Sequence, residues 1–160
     1  MLKLDYEKFD KIIENELINP ITLSEIVNDS HCVNSMINVR GEDENFPLGN
    51  IYSGLKGKFG VYAFWTYRSD FENGNEQMFK CQYIGKGYID RRLKDNLEKK
   101  WKDMQSMYFT FFECKNRLAK YIEQLILDCY DIPYNKAENP GEGELVALWN
   151  YERATYGTGA

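Results

Sequence analysis

Apolar residues recur at helical intervals over residues 3–17, where Leu4, Phe9, Ile12, Ile13 and Leu17 share one face. This spacing predicts an amphipathic helix. Asn19-Pro20 stops it, because the residue before a proline is pushed out of the helical region. Thr22-Leu23-Ser24-Glu25 places a glutamate three residues after an N-cap threonine, which predicts a second, short helix over roughly 23–29. From Asp29 to Lys58 no period persists, and Gly41, Pro47, Gly49, Gly54 and Gly57 mark loop. A stretch of that length is expected to be a flexible region or a partner-binding insert.

The pattern changes at Phe59. Residues 59–67 (FGVYAFWTY) are β-branched and aromatic, the composition of a buried strand. Asn73-Gly74, within DFENGNEQ, is a hairpin turn signal, and Met78–Ile84 alternates as the antiparallel return strand. Gly85-Lys86-Gly87 is read as breaking that strand, and Asp90 can cap a basic helix over about 90–102. Residues 107–114 (MYFTFFEC) are apolar on both faces, as a central strand would be. Residues 117–130 repeat apolar positions at Leu118, Ile122, Leu125, Ile126 and Cys129, a helix that Pro133 ends. A last turn is expected around Leu145–Trp149. The order predicts an α+β domain: a small three-stranded antiparallel sheet flanked by helices, with an N-terminal helical extension. We divide the chain into an extension over 1–57, a core over 58–137, and an acidic, glycine-containing tail over 138–160.

Composition narrows the chemistry. At 160 residues with 43% hydrophobic and 28% charged, the chain is long enough to bury one core. No apolar run approaches membrane-spanning length, and the charged start MLKLDYEKFDKII does not resemble a signal peptide. Cys32, Cys81, Cys114 and Cys129 are widely spaced, which suits thiols in a reducing cytosol and argues against zinc. A cytoplasmic location is expected. With His31 the single histidine, catalysis would have to use tyrosine, carboxylate, lysine or arginine. The net charge of -5 does not announce a nucleic-acid binder. Locally the balance reverses: from Lys86 to Lys102 seven basic residues face three acids, leaving +4. Phosphate backbones respond to the local patch, although a solvated helix face would look the same.

Gly60-Val61-Tyr62 on the first strand and Tyr83-Ile84-Gly85 on the second resemble the two strand motifs that name the GIY-YIG nuclease superfamily. The next helix carries Arg91 and Arg92, where the family has an arginine; aligning on the following leucine favours Arg92. The family's metal-binding glutamate is matched by Glu123, with Ala119 four residues before it and Leu125 and Ile126 two and three residues after it. Its final asparagine is matched by Asn135 in Pro133-Tyr134-Asn135. The resemblance spans roughly 58–137, with a longer hairpin and a shorter run from Gly85 to the arginine than is usual.

The resemblance implies a DNA endonuclease that uses Mg²⁺, or Mn²⁺ in its place, held by Glu123. Arg92 would hold a non-bridging phosphate oxygen in its planar fork. Tyr62 would act as general base or orient the water. A phenol titrating near 10 is a poor base at neutral pH, so a cation must assist, with Lys86 the nearest in sequence. Tyr83 would orient water or phosphate. Gly85 and Gly87 would let the backbone approach substrate, while Gly60 and Asn135 look structural. A homodimer stays open, as do two other readings: a catalytically silent nucleic-acid-binding module, and an aromatic-rich protein-interaction domain.

Overall fold

The computed structural model describes residues 5–27, 31–33, 54–73, 76–99, 108–135 and 141–149. Helix α1 (Glu7–Glu16) and helix α2 (Leu23–Val27) lie where the periodicity places them. Thr22 caps α2 by accepting from the Glu25 amide, and its hydroxyl donates to the Glu25 carboxylate, each at 3.2 Å. Asp10 of α1 accepts the Leu23 amide at 2.8 Å, so the first helix satisfies a free donor of the second.

Five strands form one antiparallel sheet among the described residues, not three. Strand β1 (His31–Val33), β2 (Phe59–Asn73), β3 (Glu76–Tyr88), β4 (Tyr108–Glu113) and β5 (Val146–Trp149) take the order β1-β4-β2-β3-β5. The long hairpin β2–β3 and the interior β4 are the three strands expected from the pattern. The two additions are short. β1 pairs His31↔Phe111 on the outer side of β4, inside the stretch read as loop. β5 pairs Gln77↔Trp149 through Lys80↔Val146 on the outer side of β3, where a helical turn was expected. Three or four residues carry no readable period, and their conformation follows from the open strand edge they cover.

Helix α3 (Ile89–Lys99) follows β3 directly, and helix α4 (Asn116–Cys129) follows β4. The Gly85-Lys86-Gly87 segment continues β3 in register with β2, Tyr62↔Gly85, Val61↔Lys86 and Gly60↔Gly87, and does not break it. Asp90 lies in the first turn of α3, where a carboxylate meets the positive end of the helix dipole.

The two sheet faces carry different cores. Val61, Ala63 and Trp65 of β2 share one cluster with Phe9 and Ile13 of α1, Leu23 and Ile26 of α2, and Ala119, Ile122 and Ile126 of α4. Each of these larger side chains contributes about 1.5–3 kcal/mol on burial. Trp65 satisfies its indole by donating to Thr110 Oγ1 at 2.8 Å. Helices α1 and α2 are therefore built into the main core. Tyr130 and Tyr121 extend the attachment, donating to the Asp5 carbonyl at 2.6 Å and to Glu16 at 2.7 Å. On the opposite face, Tyr62, Phe64, Phe109 and Phe111 stack through ring contacts of 5.0 to 6.4 Å, and α3 lies against this side. No helix among the described residues is long and apolar enough to cross a membrane.

Candidate active site

A register shift at Phe64/Trp65 makes the site possible. Phe64 faces Tyr83 while Trp65 faces Cys81, so Gln82 is the extra residue of a bulge. Without it, Tyr83 and Cys81 would fall on the same face. With it, Cys81 enters the main core and Tyr83 joins Tyr62, their ring centroids 6.2 Å apart.

The outer edge of β3 is completed piecewise. β5 covers Gln77 to Lys80, the Leu145 carbonyl accepts from Cys81, and the Tyr134 amide donates to the Gln82 carbonyl at 3.0 Å. At Ile84 a side chain replaces the missing strand. Asn135 Oδ1 accepts the Ile84 amide and Asn135 Nδ2 donates to its carbonyl, both at 2.9 Å. Asn135→Ala leaves two part-buried backbone groups without these partners, a loss of about 2–4 kcal/mol. Asn135→Asp, which keeps only the acceptor, is expected to fall between. Urea midpoints of the three proteins check the order, and an alanine variant as stable as the parent would refute it.

Tyr62 is 3% exposed, and its ring stacks on Phe109 at 5.8 Å. Tyr62 is paired with Gly85, where a methyl group would lie 2.4 Å from the phenol oxygen. Two residues on, Gly87 has φ of +144°, a region L side chains rarely adopt, and a methyl there would lie 2.6 Å from Arg92 Nε. The two glycines thus make room for the tyrosine and the arginine. Asn96 joins them: its amide donates to the Arg92 carbonyl at 2.7 Å and to Tyr62 Oη at 3.3 Å.

Burial first, and then the neighbouring Tyr83, push the Tyr62 hydroxyl well above the ordinary phenol range. The Asn96 hydrogen bond and the Arg92 charge pull the other way and do not prevail. Cys81 is raised too, chiefly by burial. Both groups are held neutral, so they stabilise the fold fully below their unfolded values. That stabilisation is lost as pH rises from the unfolded towards the folded value. Urea midpoints are expected to hold from about pH 7 to 8 and fall from about pH 9 upward, given ordinary thiol and phenol values near 8.5 and 10. A midpoint unchanged at about pH 10.5 would contradict this.

The two candidate arginines point differently. Arg91 holds its guanidinium 5.0 Å from the centre of the Tyr88 ring. Arg92 lies against Gly87, with its charge felt at Tyr62. Lys86, expected to assist Tyr62, is in register with Val61 and so faces the other side of the sheet. Its ammonium donates to Asn116 Oδ1 at 3.1 Å, at the start of α4. Lys86, Arg91, Arg92, Asp95 and Asn116 line one open cleft of about 540 Å³, with Phe59 and Tyr88 as its aromatic wall.

Glu123 is half-buried on α4, which packs on the sheet face away from Tyr62, and it is not among the residues lining the cleft. It follows Asn116 by seven residues, two helical turns, so the two share a side of the helix about 10 Å apart. Among the described residues no three of His, Cys, Asp and Glu gather into a metal-binding set. Glu123 is the single carboxylate that the resemblance assigns to a metal, and one carboxylate is enough for Mg²⁺, which keeps most of its waters. Gly60 sits between Gly87 and Glu113 at the base of the sheet.

Asn96 and Tyr88 were not singled out from the sequence. Asn96 had a signal: Ile89, Leu93 and Asn96 form one buried stripe of α3, and a polar residue on such a stripe needs a partner.

Searched against models of known families, the chain matches none, and no curated protein or solved structure matches it.

Proposed function

We propose that this chain is a GIY-YIG-like endonuclease domain, which hydrolyses phosphodiester bonds in DNA with the help of Mg²⁺. The observation that carries the reading is the packing of Tyr62 and Arg92 into the spaces left by Gly85 and Gly87, with a basic cleft beside them. Five motif elements in the order of that superfamily add to it.

In this reading a phosphate enters the cleft between Lys86 and Arg92. Arg92 grips a non-bridging oxygen with two parallel donors and stabilises the charge that grows there during attack. Lys86, steadied by Asn116, supplies a second positive charge from the opposite wall. Tyr62 is protonated at neutral pH, so it serves as an orienting hydroxyl and not as the base. Asn96 donates to that hydroxyl, whose hydrogen bond with Tyr83 favours the protonated form, so the two phenols act as one hydrogen-bonded pair. Glu123 would hold the Mg²⁺. Bound there, the ion would neutralise charge on the phosphate and supply a water of lowered pKa.

The test is a supercoiled plasmid incubated with purified protein, with Mg²⁺ and with EDTA. Nicked circles are expected only with the metal. Tight DNA binding with no nicking under either condition would point to a binding module on this scaffold. The absence of both would favour a protein-interaction domain.

A further inference from the structure

Tyr88 ends β3 at the mouth of the cleft and is 47% exposed. Single exposed aromatics are common and need no explanation. This one is held in place while it stays half-exposed. Phe59 meets it edge-on at 5.2 Å and 89°, and the Arg91 guanidinium lies over its face at 5.0 Å. The ring therefore presents a fixed, flat surface beside Lys86 and Arg92. The lining of the cleft has three cations against the single acid Asp95, on a chain whose net charge is -5.

From this arrangement we infer that Phe59, Tyr88 and Arg91 form a stacking subsite for an unpaired nucleobase next to the phosphate-binding cations. The inference deepens the nuclease reading and takes from it the phosphate that Arg92 and Lys86 hold. A base inside a duplex is stacked on both sides and shows a protein only its edge. A ring face is usable by a base that has left the stack or never had a partner. Such a base enters between the ring and Arg91, whose guanidinium plane then stacks on its other side, since a guanidinium stacks as well as it pairs. The preferred DNA then carries an unpaired nucleotide beside the cleaved bond, as at an overhang, gap or flap. An acidic peptide would satisfy the cations but leave the aromatic wall unused.

The experiment uses the full chain in EDTA, so that nothing is cut. The probes are two DNA hairpins with the same stem, one with a single-stranded overhang that carries 2-aminopurine and one blunt, with 2-aminopurine paired in its stem. The unpaired probe is expected to bind roughly tenfold tighter or more, and its fluorescence to be quenched on binding. Tyr88→Ala should remove both the preference and the quenching, so that the two probes bind it with equal affinity. Tyr88→Trp should keep both. Equal affinity of the parent for the two probes, or an alanine variant that keeps the preference, overturns the inference. So does polyglutamate that displaces the unpaired probe as readily as unlabelled overhang DNA. Nicking in Mg²⁺ without any preference for unpaired sites would remove the subsite and leave the nuclease standing. Quenching that depends on Tyr88, in a protein that nicks no DNA, would do the reverse.

Discussion

Arg92→Ala is expected to lower the rate of Mg²⁺-dependent nicking on the order of 10³-fold, with the fold intact. Two observations separate the rate from the stability. The side chain is exposed, so its truncation should change unfolding free energy by no more than about 0.5 kcal/mol. Its position, however, is set by other groups: Gly87 leaves it space, and Asn96 ties its carbonyl to Tyr62. A charge aimed in advance at the place where negative charge grows stabilises the transition state more than the ground state. Arg92→Lys keeps the charge and loses the fork, so an intermediate rate is expected. Arg91→Ala is the control. Its guanidinium lies over Tyr88, and its loss should weaken DNA binding more than turnover. Rates at saturating DNA, with thermal unfolding measured alongside, check all three. An Arg92→Ala protein that nicks at the parental rate removes this residue from the chemistry.

The helices α1, α3 and α4 and the strands β2, β3 and β4 were legible because each is long enough for its period to repeat. β1 and β5 were not. His31–Val33 and Val146–Trp149 are too short for a period, and both become strands by covering the edges of β4 and β3. Gly85-Lys86-Gly87 misled in another way. Two glycines usually mark the end of a strand, since they pack no side chain. Here the missing side chains are filled by Tyr62 and Arg92 reaching across from other elements, and β3 runs on to Tyr88. That information is held in the pairing register, which no local window contains.

The residues of the candidate site divide along the same line. Tyr62, Tyr83, Gly85 and Arg92 were each visible as motif letters, and the bulge at Gln82 brings the two tyrosines to one face. Which neighbour perturbs Tyr62 was not visible. Lys86 is closer in sequence to the second motif, but alternation along β3 turns it to the other face, and the cation that reaches Tyr62 is Arg92. Burial matters more than either, and a phenol so placed is suited to donating a hydrogen bond.

Glu123→Ala carries the second large effect: cleavage is expected to fall on the order of 10³-fold and to stop responding to added Mg²⁺, as it would if the metal's protein ligand were lost. Glu123→Gln should behave almost as badly, because a neutral amide binds a hard divalent cation weakly. The outcome decides between two carboxylates. Glu123 sits on α4, on the sheet face away from Tyr62, and on the same side of its helix as Asn116. Asp95 lies in the cleft itself, on α3 beside Arg91 and Arg92. Glu123 lies outside the cleft lining, about 10 Å along α4 from Asn116, and would hold a cation on the Asn116 side. A cation at Asp95 would sit on the arginine side, where Arg91 and Arg92 already repel it. In the proposed nuclease reading Glu123 holds the metal, and Asp95→Ala should leave the Mg²⁺ response in place. Titrating Mg²⁺ against nicking rate for both variants reads this directly. A parental Mg²⁺ response in Glu123→Ala, lost instead in Asp95→Ala, would move the metal across the cleft to α3.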